Sequence, residues 1–169
     1  MERIAHFEKV SFEQFQQDWL KVFDNTEEEV RKIYEGIALP KRGTKHSAGY
    51  DFFLPVPLKL EAGKELLVPT GIRAKMEDDY VLMIFPRSSL GFKFRLQLDN
   101  TVAIIDSDYY YADNEGHIQC KVINDSREDK LVDLEAGNAF MQGIFVQYGI
   151  CDDDDVTEER HGGFGSTSK

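Results

Sequence analysis

The sequence predicts an all-β sandwich or barrel preceded by a short helical extension. From Leu39 onward, short apolar runs alternate with Gly, Pro and Asp, and no long helical period survives. Ahead of that point, aromatic residues recur at helical spacing behind two N-capping signals. The 169 residues, 41% hydrophobic and 30% charged, suit one domain with its own core.

In chain order, residues 4–10 read as a first strand. Ser11 and Gln14 form a capping box, and Phe12, Phe15, Trp19 and Phe23 place a helix with one buried face up to about Phe23. Asp24-Asn25 breaks it. Thr26 and Glu29 form a second capping box, and Val30, Ile33 and Ile37 carry a weaker stripe. An aromatic stripe of this kind marks core packing or a subunit contact. Strands are then expected over residues 50–54, 58–60, 65–76, 80–85, 101–106, 116–124, 130–134 and 139–150, with one short helix over 88–93. The domain reading is 1–150 as one unit, with 1–37 as extension and 38–150 as β core. Residues 151–169 form a polar arm.

A net charge of −11 argues against nucleic-acid binding, which needs a basic footprint. It leaves room for an anionic small molecule held by a few local cations. Cys120 and Cys151 are too few for a disulfide framework and have no metal-ligand spacing. With no membrane-length apolar run and no leader pattern, a cytoplasmic protein with reduced thiols is expected.

The chemistry gathers around residues 100–109, Asn-Thr-Val-Ala-Ile-Ile-Asp-Ser-Asp-Tyr. An apolar strand delivers Asp106 and Asp108, and period-2 geometry puts both carboxylates on one side if the strand continues that far. An Asp held at a strand end suits a general base, and the same residues read equally as a polar turn. Ser47-Ala48-Gly49-Tyr50-Asp51 allows close backbone approach and offers a carboxylate to a metal, or simply turns into a strand. Pro86-Arg87-Ser88-Ser89-Leu90-Gly91 joins two hydroxyls and a guanidinium as an anion site, or is a plain cap with a surface Arg. Gln142 sits in an otherwise apolar strand and needs partners for its amide. After the acidic run 152–155 comes Arg160-His161-Gly162-Gly163-Phe164-Gly165-Ser166-Thr167, either a tail or a backbone able to wrap phosphates.

In order, Ala-Gly-Tyr-Asp, Pro-Arg-Ser-Ser-Leu-Gly, Asn-x-Val-x-Ile-Ile-Asp-x-Asp-Tyr, Gly-x-x-x-x-Gln and Gly-Gly-Phe-Gly-Ser-Thr closely resemble the five motifs of the trimeric dUTP diphosphatases. The chain is similar to Gram-positive-bacterial or phage-like members. The resemblance spans about residues 39–169. It implies a distorted β jelly roll, a homotrimer with shared active sites, and Mg²⁺-dependent hydrolysis of dUTP to dUMP and pyrophosphate. That reaction limits uracil incorporation into DNA and supplies dUMP for thymidylate synthesis. By this resemblance Asp106 is the base that activates water. Asn100, Val102, Ile105 and Tyr109 hold base and sugar, with Tyr109 leaving no room for a 2′-OH, and Phe164 stacks on uracil. Arg87, Ser88, Ser89, Gln142, Arg160, Gly165, Ser166 and Thr167 hold the phosphates, and Asp51 reaches Mg²⁺ through a water. The arm closes over the site. No membrane or nucleic-acid partner is implied.

Departures from the family pattern are visible. Ala103 stands where Gly is frequent, and Gly137-Asn138-Ala139 stands for Gly-Asp-Arg. Residues 110–115 make a loop longer than in short family members. Arg160 stands two places before the glycine pair instead of three. A dCTP deaminase shares the fold, but its acid–base Glu aligns with Lys121, a cation unable to do that work. A nucleotide-gated interaction protein on the same scaffold is the alternative from a different class.

Overall fold

The computed structural model describes residues 2–160 and residue 162. Two antiparallel sheets pack face to face, and most of the chemistry-bearing residues lie at strand ends and in the connections between strands. Strands β1 (Ala5–Lys9), β5 (Glu65–Met76), β9 (Ile118–Asn124) and β7 (Leu96–Leu98) form one sheet, in the order β1-β5-β9-β7. The other runs β2-β3-β11-β6-β8, from β2 (Lys41–Arg42), β3 (Tyr50–Phe53), β11 (Ala139–Gln147), β6 (Tyr80–Pro86) and β8 (Ala103–Ile105). A small ribbon pairs β4 (Leu58–Leu60) with β10 (Val132–Leu134). This is the distorted jelly roll expected of the sequence.

Alternation sets the layers. Strand β9 buries Ile118, Cys120, Val122 and Asn124 and turns the intervening residues outward. Phe7 on β1 meets Tyr50, Phe52 and Phe145 from the opposite sheet at centroid distances of 5.3, 5.7 and 5.5 Å, which joins the two layers through aromatic contacts. Burial pushes the Cys120 thiol up to about 12, so it stays a protonated core residue. Both cysteines are free.

The N-terminal stripe is core. Helices α1 (Phe12–Trp19) and α2 (Glu27–Gly36) bury Phe15, Trp19 and Val30, and Ile37 follows them inward. Trp19 stacks on Phe23 and donates its indole N–H to Asn25 at 2.9 Å. Thr26 and Glu29 close the expected capping box in full. At α1 only half of it forms: the Ser11 hydroxyl accepts the Gln14 N–H. The reciprocal place is taken from far along the chain by Glu115, which accepts the Ser11 N–H and hydroxyl at 2.7 Å each. Gln14 is thereby freed to donate to Asp18 at 2.8 Å.

Several boundaries differ from the sequence reading. Helix α1 stops at Trp19 because Leu20–Val22 tighten into a turn. Strands β2 and β7 were not expected; two or three residues carry no readable period. The expected strand 101–106 shrinks to Ala103–Ile105, since Thr101 sits at φ 71, a left-handed turn conformation that ends pairing. Nor is that run buried: β8 is a sheet edge and Ile104 is half exposed. Strands β9 and β10 start later than expected, and β11 ends at Gln147. Among the described residues no helix is long and apolar enough to cross a membrane.

Truncating a fully buried aromatic costs about 3–5 kcal/mol. Trp19→Ala should therefore lose stability on that scale in urea unfolding, with one cooperative transition for helices and sheets together. A loss under about 1 kcal/mol, or a separate early transition, would show the helical segment to be an appendage.

Candidate active site

After β7 the chain crosses from one sheet to the other through a tight turn. The Thr101 N–H bonds the Leu98 carbonyl at 2.9 Å and the Val102 N–H bonds the Asn100 carbonyl at 2.8 Å. Strand β8 then leads into the 3₁₀ turn η1 (Ser107–Tyr111). A cavity of about 340 Å³ opens here, lined by Asn100, Val102, Ala103, Ile104, Ile105, Asp106 and Tyr109, by Ile118 and Gln119 from β9, and by Arg160. Asn100, Val102, Ile105, Asp106 and Tyr109 from the sequence reading thus share one wall with Arg160. Ile118 and Gln119 were not foreseen. Only the alternation along β9, which turns Gln119 away from the core, hinted at the latter.

Asp106 occupies the N-cap of η1, yet its carboxylate makes no capping bond there. The strand ends before it, so period-2 alternation does not align Asp106 with Asp108. What joins them is one guanidinium: Arg160 Nη2 lies 2.5 Å from Asp106 Oδ2, and Nε lies 2.8 Å from Asp108 Oδ1. Arg160 is the more enclosed partner, and about half of each carboxylate side chain stays open to solvent.

Tyr109 is buried and held at its far end. Its hydroxyl donates to the His117 carbonyl at 2.9 Å and accepts from Asn114 Nδ2 at 2.8 Å. Burial drives its pKa upward, and the Asn114 hydrogen bond opposes that only in part, so the phenol remains a donor. Gly116 lets the chain return: at φ 71, an added Cβ would lie 2.6 Å from the Tyr109 carbonyl oxygen.

A second cluster lies elsewhere. Arg87 Nε pairs with Asp51 at 3.2 Å, and Asp51 is in register with Gln142 across β3 and β11. Gln142 Nε2 reaches the Pro86 carbonyl at 3.4 Å. Its Oε1 crowds Gly49, where an added Cβ would meet it at 2.7 Å, so small residues there do permit close approach. Ser88 and Ser89 open α3 (Ser88–Phe94), with Arg87 at its N-cap. None of these residues lines the Asp106 cavity. Strand β8 runs antiparallel to β6 with Ile105 opposite Leu82 and Ala103 opposite Ile84, so Asp106 and Arg87 leave opposite ends of that ladder. Continued by one residue, that register sets Asp106 beside Val81, six positions before Arg87 and about 20 Å from it at ~3.3 Å per residue. Phe164, Gly165, Ser166 and Thr167 lie outside the described residues.

The replaced fourth motif has a local substitute. Asn138 Oδ1 accepts the Glu135 N–H at 3.3 Å, and Gly137 adopts φ 80 to close the turn before β11. Lys121, where a deaminase needs its Glu, is tied to Glu65 at 2.7 Å and Asp99 at 3.0 Å.

Residues 35–168 match the family model for dUTPase. The chain belongs to the dUTPase family. The deoxyuridine 5′-triphosphate nucleotidohydrolase of Lactococcus lactis is 43% identical over 135 residues, covering 78% of this chain and 89% of the relative. That of Glaesserella parasuis is 34% identical over 158 residues, covering 89% and 96%. Among solved structures, the dUTPase of Streptococcus mutans superposes with a TM-score of 0.64 at 37% identity, over 86% of this chain and 98% of its own. A phage 80alpha dUTPase shares the fold with a TM-score of 0.64 at 18% identity. The family match begins inside α2, so β1 and α1 precede the matched region.

Proposed function

We propose that this chain hydrolyses dUTP to dUMP and pyrophosphate with Asp106 as the base. The observation that carries this reading is the cavity in which Asp106, Asn100 and Tyr109 share one wall, in a chain of the dUTPase family. The reaction breaks the anhydride between the α- and β-phosphates. Asp106 takes a proton from the attacking water, and the electron pair of the broken bond leaves on pyrophosphate. Asn100 and the neighbouring backbone meet the uracil edge, with Val102 and Ile105 as apolar walls. Tyr109 lies under the deoxyribose, its pinned ring closing the space a 2′-OH needs.

The phosphates go to the other cluster. Arg87, Ser88, Ser89 and Gln142 offer a guanidinium, hydroxyls and an amide, and Asp51 already neutralises Arg87 in the free protein. Among the described residues no three His, Cys, Asp or Glu side chains gather into a metal cage. That fits Mg²⁺, which binds through few protein carboxylates and keeps waters and phosphate oxygens as ligands. Asp51 would hold it through a water. When bound, the ion supplies charge neutralisation across the phosphate oxygens. A phage phi11 dUTPase of the same fold coordinates a structural Mg(II) ion.

About 20 Å along a strand ladder exceeds what one nucleotide spans, so Asp106 and Arg87 of the same chain serve different substrates. A homotrimer resolves this by setting the hairpin of one protomer against the Arg87 cluster of the next. The half-exposed edge strand β8, with Ile104 uncovered, is consistent with burial by such a neighbour. Residues 151–169 act as the arm: Phe164 stacks on uracil, and Gly165, Ser166 and Thr167 join the phosphates. Arg160 leaves the two aspartates to clamp the terminal phosphate, which frees Asp106 as substrate arrives. A cytoplasmic location accords with both free thiols.

Steady-state hydrolysis over dUTP, dCTP, dTTP and UTP tests this reading. Unpaired polar groups facing a cytosine edge allow discrimination of ~10⁴ or more, so dUTP should lead dCTP by that margin, while thymine's methyl and the ribose 2′-OH meet steric walls that hold dTTP and UTP well below dUTP. Asp106→Asn should lower kcat by ~10² or more with nucleotide binding retained, and Asp108→Asn should cost less. Equal turnover of dCTP and dUTP, or equal losses in the two variants, would refute the assignment.

A further inference from the structure

The buried pair between Asp18 and His117 belongs to no step described so far, and it sits directly behind Tyr109. Asp18 projects from α1 into the interior, where Asp18 and His117 are both almost fully enclosed. His117 Nδ1 lies 2.7 Å from Asp18 Oδ2. The ring's other nitrogen, Nε2, accepts the Gly71 backbone N–H at 2.8 Å. A nitrogen that accepts has no proton, so Nδ1 carries it and donates to the carboxylate. The tautomer and ring plane of His117 are thereby fixed from both sides.

The carboxylate is fixed in turn. Gln14 Nε2 donates to Asp18 Oδ2 at 2.8 Å, and Lys21 Nζ donates to Oδ1 at 2.8 Å. Gly71, at φ 72, packs so closely under the helices that an added Cβ would stand 2.3 Å from Ile37 Cδ1. Its carbonyl accepts the Val10 N–H at 3.0 Å. So β1, α1 and the bulge of β5 clamp one imidazole between them.

From His117 the connection to the site is one residue long. Its own carbonyl accepts the Tyr109 hydroxyl at 2.9 Å. The intervening loop is fastened to the same N-terminal segment: Tyr110 donates its hydroxyl to Glu8 at 2.9 Å, and Glu115 accepts from Ser11. Both ends of the loop that is long in this chain therefore bear on the part of the chain outside the family match.

We propose that Asp18 and His117 are positioning residues which, through the His117 carbonyl, set the height of the Tyr109 ring and so the selection of deoxyribose over ribose. The proposal rests on the reading of Tyr109 as the residue under the sugar. Asp18 and His117 touch no substrate. They act by denying the ring the small retreat that would admit a 2′-OH, a displacement of about 1 Å at most.

The test is the ratio of kcat/KM for dUTP to that for UTP, measured on purified full-length protein well below each variant's Tm. Asp18→Asn keeps the shape, loses the charge, and sets an amide donor against Gln14 or Lys21. It should lower the ratio about tenfold, mainly through faster use of UTP. Tyr109→Phe removes the phenol's bond to the His117 carbonyl and should lower the ratio similarly. Adding Asp18→Asn to Tyr109→Phe should change the ratio no further, since both act on one ring. A lower Tm for Asp18→Asn with the ratio intact would mean a purely structural pair and overturn the proposal, and so would additive losses in the double variant. Should Asp18→Asn fail to fold, Gln14→Ala strips one donor from the same carboxylate and should shift the ratio the same way by a smaller factor; no shift overturns the proposal. A wild-type protein that uses UTP as well as dUTP would overturn the sugar role of Tyr109 and this inference together. Strong wild-type selection with an unmoved Asp18→Asn ratio removes the inference alone.

Discussion

The bulge at Gly71, with the imidazole it feeds, is the constraint on which the rest of this structure leans. Strand β5 is the longest in the fold and pairs with β1 on one side and β9 on the other. Its register with β9 shifts between Pro69 and Ile72, which turns the Gly71 N–H toward His117 and its carbonyl toward Val10. A polar ring at the start of β9 is costly to bury unless both nitrogens are satisfied, and Asp18 completes that requirement from α1. Burial by itself pushes the Asp18 carboxyl pKa up, but hydrogen bonds from His117, Lys21 and Gln14 outweigh it and hold the group well below the usual carboxylate range. Its contribution to stability is thus fully present above the ordinary carboxylate pKa and is lost as the pH falls through the lowered folded value. Removing one partner leaves a buried polar group unsatisfied at a cost of about 1–3 kcal/mol, a sizeable part of a domain's margin.

Function follows from where the strands end. Ile105 opposite Leu82 puts Asp106 just beyond one end of the β6–β8 ladder, while Arg87 follows the far end of β6 and pairs with Asp51. The Asp106 cavity and the Arg87–Asp51 cluster are separate groups of residues within one protomer. On the proposed reading each group is one half-site, and assembly into a homotrimer would join them. In the free protomer each half-site is self-neutralised, Arg87 by Asp51 and the two aspartates by Arg160. Substrate phosphates would exchange one ion pair for another instead of meeting a bare cation, which limits the desolvation penalty of binding.

Much of this was legible in the residues, for definite physical reasons. Alternation along β9 and the punctuation by Gly and Pro gave the β core, and Thr26 with Glu29 located α2 because a capping box is a local, self-contained device. The motifs around Asp106 and Arg87 were visible because chemistry demands particular residue types. What stayed hidden was long-range. Ser11 looked set to share its cap with Gln14, and Glu115, 104 residues away, took that place. The pairing of Asp18 with His117 left no trace in the pattern, since nothing in the neighbours of Asp18 announces a histidine 99 positions on. The start of β8 was missed because the left-handed turn at Thr101 falls on a residue type that does not advertise it.

The division into half-sites can be tested by subunit mixing. Asp106→Asn and Arg87→Ala each disable a different half, and the two proteins are unfolded together at equal amounts and refolded. If Asp106 of one protomer serves the phosphates held by Arg87 of another, random assembly restores about a quarter of the sites, and hydrolysis of dUTP should rise to roughly that fraction of the wild-type rate. Activity no higher than the average of the two separate variants would contradict the account, because it would mean that both halves of every site come from the same chain.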